Sequence, residues 1–384
     1  MLTMVRLYLC PALMDGLAYF VLFAILYAAG ERGLSLAQCA WLGGTFQLAY
    51  MTASLILGRL LSRRNARLLM LLGAGLFALF GACGLVTTSF PPLLGLVTAA
   101  GVAMALFFNA FQTFMRGESA PGELSRTVAW YTLAWSSGMS MGFLLSGYLF
   151  RLGPAVMALV TIVTGGLTTC LLIVHRARPI ETLSAEEHIE TGPADMRPVH
   201  PAYVGVGWVM IFTVMFIQRP VTTFYPSLCA RAGISAFMAG LPLFLHLGMQ
   251  AGAGAAMFKG RALLYRRTPL VFFQLLAAAM FLIMWWWPSY LMTMVCLTIS
   301  GVYAAFAYFC AVYYASNAGN RSFNTGINEF LVGLGSFAGI FVSEWGMKQS
   351  GRDETMYLVC SLALAVSIML QCSLASLPRK QDIA

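Results

Sequence analysis

Three ionisable side chains interrupt apolar stretches of this chain, and they are its first candidates for chemistry. Asp15, His246 and Glu329 each stand among mostly hydrophobic residues. An ionisable group is costly in such surroundings and usually has a function there. Because protonation removes the charge of a carboxylate, and an imidazole also binds protons, all three are candidates for carrying a proton. The alternatives are structural: an ion pair for each carboxylate and hydrogen-bonded packing for the histidine.

A polar stripe marks another apolar run. It consists of Asn109, Gln112 and Arg116, whose spacings of three and four residues place them on one face of a helix. A polar face is costly against lipid, so we expect this face to line a cavity. The alternatives are hydrogen bonds between helices and, for Arg116, an anchor or gate at the membrane surface.

Two further runs carry candidate ligand-binding groups. Gln218 and Arg219 precede Pro220, where we expect the helix to break. We expect both to line the cavity, with Arg219 as an anion-binding or gating group. The alternative for Arg219 is a side chain that extends to the membrane surface. Tyr303 is a candidate for an aromatic cavity wall, and packing between helices is its alternative.

The elements that hold these residues are those of a membrane protein. Hydrophobic residues make up 60% of the chain, charged residues only 10%, and the mean hydropathy is +0.79. A soluble domain carries about 25% charged residues, so the composition excludes that class. A span needs about 20 apolar residues, and in lipid a helix satisfies its own backbone. We predict an all-α integral membrane protein with twelve transmembrane helices, near 8–29, 36–58, 68–88, 92–115, 128–150, 153–174, 202–225, 236–258, 268–287, 289–314, 323–346 and 354–375.

The basic residues predict the orientation of these spans. Of the 23 Lys and Arg residues, 17 fall on the side that holds both termini and 5 on the other, and Arg219 lies within a span. Positive charge collects on the cytoplasmic side, so we expect both termini to be cytoplasmic. The net charge of +9 is then explained by topology and gives no indication of nucleic-acid binding. The short loops are typical of a bacterial inner (plasma) membrane protein.

The chain divides into two halves that repeat each other. We predict a six-helix bundle at 1–174, a polar cytoplasmic linker at 175–201 and a second six-helix bundle at 202–384. In the fifth and eleventh predicted spans, Gly138 and Gly142 recur as Gly335 and Gly339. Because both spans run in the same direction, this is a parallel repeat of the kind found between transporter halves.

The loop between the second and third spans adds a specific resemblance. Its residues, from Gly58 onward, read Gly-Arg-Leu-Leu-Ser-Arg-Arg-Asn-Ala-Arg. With twelve spans, a 6+6 division and a central linker, the chain resembles the major facilitator superfamily from end to end. The loop is similar to that family's signature, Gly-x-Leu-Ala-Asp-Arg-x-Gly-Arg-Arg, which Gly58, Leu60, Arg63 and Arg67 match. Ser62 replaces the aspartate. The resemblance implies a cytoplasmic gate at this loop, and Ser62 cannot form the ion pair that the aspartate makes there.

The resemblance also implies where a solute binds. In this family the first and fourth spans of each half chiefly line a central cavity. Here those spans carry Asp15, the stripe at Asn109, Arg219 and Tyr303. We therefore expect a secondary active transporter, either a symporter or an antiporter, that moves a small organic solute by alternating access and couples this to protons.

Other functions are weighed against this one. An efflux pump for drugs or amphiphiles is one alternative, and a non-transporting sensor that retains the fold is another. An enzyme is not expected, because the four histidines are scattered along the chain. The expected partners are a small-molecule substrate, a proton or other coupling ion, and the lipid bilayer. We expect a monomer that uses no cofactor, no metal and no nucleic acid.

Overall fold

The computed structural model describes residues 2–118, 124–175, 201–257, 263–317 and 321–376, and the described part of the chain is built from helices. One short 3-10 turn, Phe150–Leu152, follows the fifth helix. The long helices are α1 Leu2–Glu31, α2 Leu36–Leu60, α3 Arg63–Val86, α4 Phe90–Glu118, α5 Leu124–Leu149, α6 Pro154–Val174, α7 Pro201–Arg231, α8 Ala236–Ala256, α9 Arg267–Trp286, α10 Tyr290–Asn317, α11 Arg321–Ser350 and α12 Thr355–Ala375.

Ten of these helices are long and apolar enough to cross a membrane, counted over the described residues. The two that fall short are α2 and α5, whose sequences are richer in Gly, Ser, Thr and Gln. Each packs against a helix of the other half, α2 on α11 and α5 on α8. Part of their surface therefore meets protein, where small and polar residues suit close helix packing. The chain is a multi-pass membrane protein.

The same packing arrangement occurs twice. In the first half α1 packs on α5, α2 on α4, and α3 on α4 and α6. In the second half α7 packs on α11, α8 on α10, and α9 on α10 and α12. The two sets of helices also meet each other through α1 and α7. The helix pairs of the two chain halves thus follow the same order.

The repeated glycines lie where this arrangement brings helix backbones together. A Cβ atom built on Gly138 of α5 would collide with the backbone of Ala12 in α1. A Cβ on Gly335 of α11 would collide in the same way with Phe212 in α7. Small residues permit such approaches between membrane helices. The recurring glycines thus serve helix packing in both halves.

Helix α7 is continuous through Pro220 and Pro226, so the expected break at Pro220 is wrong. Proline removes one backbone hydrogen bond, but nearby hydroxyl groups and packed helices make this tolerable inside a membrane protein. Here the carbonyl that Pro220 leaves without its helix partner belongs to Phe216, and α11 packs closely against this carbonyl at Gly339. The Arg219 side chain is therefore presented by an unbroken helix.

The two halves meet closely at the end where α1 passes into α2 and α7 into α8. The Tyr27 hydroxyl donates to the carbonyl of Ile234 (2.8 Å), and the Arg231 guanidinium donates to the carbonyl of Leu34. A Cβ on Gly30 would collide with the backbone of α7. These contacts join α1 and α7 at this end of the bundle.

Candidate functional site

A cavity of about 110 Å³ lies between the two halves. Its lining comes from α1, α2, α4 and α5 of the first half and from α7, α10 and α11 of the second. The lining residues are Asp15, Ala18, Tyr19, Phe46, Gln47, Tyr50, Met104, Phe108, Gln112, Met115, Tyr131, Trp135, Met139, Arg219, Tyr308, Val312, Ala315, Asn328, Glu329 and Val332. Four residues selected from the sequence, Asp15, Gln112, Arg219 and Glu329, thus meet at one place.

Asp15 brings a carboxylate to the cavity from α1. The structure describes no hydrogen-bond donor and no ion-pair partner within 4 Å of this carboxylate in the part of the chain it covers. The charged groups that act on Asp15 at longer range are Arg219 and Glu329. A carboxylate in a low-dielectric site without donors has little to stabilise its charge. Its position suits reversible protonation.

Arg219 brings the opposite charge from α7. Its Nε donates to the hydroxyl of Ser336 (3.2 Å), and its guanidinium carbon lies 5.2 Å from the ring centre of Tyr19. Among the described residues, no acceptor is bonded to its two terminal nitrogens. A guanidinium presents these nitrogens as a planar fork that fits a carboxylate. Arg219 is therefore placed to receive an anionic group from the cavity.

Glu329 is held firmly from the opposite half. Tyr50 of α2 donates its hydroxyl to Glu329 Oε2 (3.0 Å), and Gln112 of α4 donates its amide to Glu329 Oε1 (3.0 Å). Because Glu329 belongs to α11, these bonds cross between the halves. Hydrogen bonds that accept onto an ionised carboxylate stabilise its charge. The carboxylate of Glu329 is thus hydrogen-bonded, whereas that of Asp15 accepts no hydrogen bond from the described residues.

Aromatic rings from α5 and α10 form one wall of the cavity. The sequence predicted an aromatic wall on the helix of Tyr303, which is α10, and none on α5. Tyr131, Trp135 and Met139 follow one another at intervals of four residues on α5. The ring of Trp135 lies 4.6 Å from that of Tyr308 at an angle of 55°. The spacing of four residues was a usable signal. It was overlooked because α5 was not expected to line the cavity.

Two selected residues, Asn109 and Tyr303, are not among those that line the cavity. The Asn109 amide donates to the hydroxyl of Ser54 (2.8 Å) and to the carbonyl of Ala105 (2.9 Å). Tyr303 is buried, with 1% of its surface exposed. Tyr308, five residues further on, lines the cavity instead, because five residues turn a helix by roughly 140°.

Gln218 and His246 belong to a separate buried network. The Gln218 amide donates to His246 Nε2 (3.1 Å) and to Gln250 Oε1 (2.8 Å), and His246 Nδ1 is 2.7 Å from the carbonyl of Leu297. The Gln250 amide continues the chain to the hydroxyl of Ser136 on α5 (3.2 Å). Both ring nitrogens of His246 are thus hydrogen-bonded, and the network connects α7 and α8 with α5.

The signature-like loop joins α2 to α3. Gly58 lies in the last turn of α2, and Ser62 is the N-cap residue of α3. Arg63 donates to the carbonyl of Phe114 (2.9 Å) and stacks on its ring at 5.1 Å. The side chain of Arg116 lies outside the described residues. The loop therefore contacts the end of α4.

A further arginine of this loop stabilises the end of α6. Arg67 donates to the carbonyls of Leu172 (2.8 Å) and Ile173 (2.6 Å). In the second half, Arg267 at the start of α9 donates to the carbonyl of Ala375 at the end of α12. A cation at a helix C-terminus satisfies carbonyls that have no partner in the helix. Arg67 and Arg267 thus each stabilise the C-terminal end of a helix in their own half of the chain.

Comparisons with known proteins agree with this architecture. The family model described as Major Facilitator Superfamily matches residues 7–340. Among solved structures, a D-xylose-proton symporter is similar with a TM-score of 0.73 and 14% identity, over 96% of this chain and 97% of that one. The human organic anion transporter MFSD10 is similar with a TM-score of 0.65 and 17% identity, over 95% and 98%. No curated protein sequence matches the chain.

Proposed function

The chain belongs to the major facilitator superfamily, and on this premise we propose that it is a secondary active transporter that moves a small organic solute by alternating access, coupled to protons. Its family and fold are those of transporters rather than enzymes. Identities of 14% and 17% relate the solved structures to this chain by fold alone. The solute and the coupling ion are therefore argued from the cavity's own side chains.

Alternating access requires two bodies that move against each other around a shared site. The repeated packing order supports this view, because every major helix pair of the first half has a counterpart in the second. We propose two six-helix halves, 1–174 and 202–384, joined by a cytoplasmic linker at 175–201 and crossing the membrane twelve times. The cavity between them is lined from both halves, so movement of one half changes access to it.

The observation that carries the proton-coupling proposal is the carboxylate of Asp15 in this cavity. The other titratable groups that face the cavity are Glu329, Arg219 and four tyrosines, Tyr19, Tyr50, Tyr131 and Tyr308. Glu329 accepts two hydrogen bonds that favour its charged form. Asp15 accepts none from the described residues, so protonation relieves the cost of its partly buried charge at no cost in hydrogen bonds. We therefore assign the coupling proton to Asp15 and structural roles to Glu329 and His246.

The remaining assignments follow from the contacts and charges. We propose that Gln112 and Arg219 contact the solute, and that Gly58, Ser62, Arg63 and Arg67 belong to the gate on the side of the termini. The distribution of basic residues supports cytoplasmic termini in a plasma membrane. The conversion of aspartate to Ser62 means that this gate closes through groups other than the aspartate ion pair of the family signature.

A second candidate function is efflux of a drug or amphiphile. It is supported by Met104, Met115 and Met139, which line the cavity beside its aromatic wall. Flexible thioether side chains adapt to ligands of varied shape. The hypothesis of a non-transporting sensor predicts binding without flux, and the flux assay described next tests this as well.

The test is a flux assay with the purified protein in liposomes that enclose a pH-sensitive dye. Small solutes of different charge are added one class at a time, in the presence and absence of a pH gradient. The proposal predicts that one class moves protons and accumulates along the gradient. Accumulation of many unrelated amphiphiles would favour the efflux pump. Binding without movement of solute or protons, in protein that is folded and correctly inserted, would contradict transport.

A further inference from the structure

Asp15 and Arg219 place opposite charges in one cavity but form no ion pair within 4 Å. Each influences the other electrostatically. Within the described chain, the Asp15 carboxylate accepts no hydrogen bond, and Arg219 uses only its Nε, toward Ser336. Buried charges of opposite sign are costly to keep apart unless something compensates each of them. A ligand that carries both charges would satisfy both groups at once.

A buried amide adds a third polar group. Asn328 lines the same cavity from α11 and is 3% exposed. Its side-chain oxygen is buried and has no hydrogen-bond partner among the residues that the structure describes. An orphaned acceptor of this kind is costly and suits a donor supplied by a ligand. Together with Asp15 it offers two acceptors to an ammonium group, which has up to three donors.

The rest of the cavity defines the size and the body of such a ligand. One water needs about 10–15 Å³ of such space, so about 110 Å³ accommodates roughly seven to eleven non-hydrogen atoms. The apolar part of the lining includes Phe108, Met104, Val312 and Val332. The site therefore suits a solute about as large as an amino acid with an apolar side chain.

We propose that the cavity binds an apolar zwitterion of about amino-acid size, with its carboxylate on Arg219 and its ammonium on Asp15 and Asn328. This assignment deepens the proposed transport function and rests on it for its biological meaning. Because the proton and the ammonium compete for Asp15, the site favours exchange of solute against proton.

Equilibrium binding to the purified, full-length protein tests this assignment without any need for transport. The probes are matched triplets: leucine with 3-methylbutylamine and 4-methylpentanoate, and valine with 2-methylpropylamine and 3-methylbutanoate. We expect the zwitterion of at least one triplet to bind about tenfold or more tightly than its amine or its acid, because each of these lacks one charge-assisted contact. If in both triplets the amine or the acid binds as tightly as the zwitterion, or if neither zwitterion binds, the assignment is overturned.

Substitutions then assign each end of the ligand. In Arg219→Gln we expect the zwitterion to lose its advantage over the amine, and in Asp15→Asn its advantage over the acid. A purely structural defect would weaken all three probes alike and would contradict the assignment. Arg352→Gln and Asp353→Asn are matched controls, because both positions lie in the connection between α11 and α12. Selective binding of the zwitterion without flux would contradict the proposed transport function and leave the ligand assignment standing. Proton-coupled flux of only amines or only acids would contradict the ligand assignment and leave the transport function standing.

Discussion

The carboxylates of Asp15 and Glu329 share a cavity but differ in their hydrogen bonding, and this difference supports separate roles. Glu329 is bonded to Tyr50 and Gln112 across the two halves. In the described structure, Asp15 accepts no hydrogen bond from a tyrosine hydroxyl or from a glutamine amide. Composition alone could not reveal this contrast, because both residues are acids in apolar runs. It depends on which donors other helices bring within 3 Å.

The bonds to Glu329 lead to a prediction about stability. Tyr50→Phe and Gln112→Leu each remove a hydrogen bond to a charged group, an interaction worth about 1.5–3 kcal/mol. Each variant is therefore expected to melt at a lower temperature in detergent. The double variant is expected to lose less stability than the sum of the two single losses, because both hydrogen bonds end on one carboxylate.

The control for these variants is Tyr148→Phe, whose exposed ring contacts Arg151 on the bundle surface. It should melt like the wild type. Fully additive effects of Tyr50→Phe and Gln112→Leu would show that the two donors act independently of Glu329.

At the scale of single helices, glycine positions decide how closely backbones approach. The sequence indicated a repeat from Gly138, Gly142, Gly335 and Gly339, and the structure supplies the partners, α1 and α7. The break expected at Pro220 was wrong because sequence alone does not show which neighbouring helices support α7. Likewise, the cavity-lining face of α5 depends on how the halves meet, which the pattern of residues in α5 does not show.

Gly138→Ala and Gly335→Ala test this packing. Each added Cβ meets backbone atoms of another helix, so we expect both variants to lower the melting temperature by separating α5 from α1 or α11 from α7. Gly75→Ala in α3 is the control, because its Cβ would enter open space. Alanine is a better helix former by roughly 0.5–1 kcal/mol, so this variant should be neutral or slightly more stable. Equal melting temperatures of all three variants would contradict the proposed close packing of helices at Gly138 and Gly335.

The basic loops give a second prediction for helices. Arg67→Gln removes the cation at the end of α6, and Arg267→Gln removes its counterpart at α12, so each should cost about 0.3–1 kcal/mol. The effect is measured as a lower melting temperature at low ionic strength that diminishes with added salt. Arg64→Gln is the matched control, an exposed arginine of the same loop. A loss with Arg64→Gln as large as with Arg67→Gln would contradict a specific role at α6.

For the whole molecule, the membrane class, the helical fold and the family were predictable, because they depend on composition, apolar length and repeated topology. The sequence located Asp15, Arg219, Gln112 and Glu329, since polar groups in apolar runs are few. It placed an aromatic wall on α10 but could not locate the part of the wall on α5. Aromatic residues also fill helix interfaces, and only the meeting of the two halves determines which of them face a cavity.

The two halves are in contact at the end of the bundle where α1 passes into α2 and α7 into α8. We predict that transport requires movement at this end. The backbone of Leu34 and the side chain of Arg231 are in contact. Cysteines introduced at these two positions can be joined by a short cross-linker that forms a reducible disulfide bond with each cysteine. We expect the cross-link to stop flux and to leave binding of a solute intact. Reduction of the cross-link should restore flux. Undiminished flux through the cross-linked protein would contradict alternating access at this end.

The most direct test of the central claim is parallel measurement of solute and proton flux in liposomes for the wild type, Asp15→Asn and the control Asp353→Asn. Solute concentrations are raised to compensate for weaker binding by the Asp15 variant. We predict that the wild type and the control accumulate solute along a pH gradient with accompanying proton movement. Residual flux in Asp15→Asn should be independent of the gradient and move no protons. Gradient-driven accumulation that persists in Asp15→Asn would contradict proton coupling through this carboxylate.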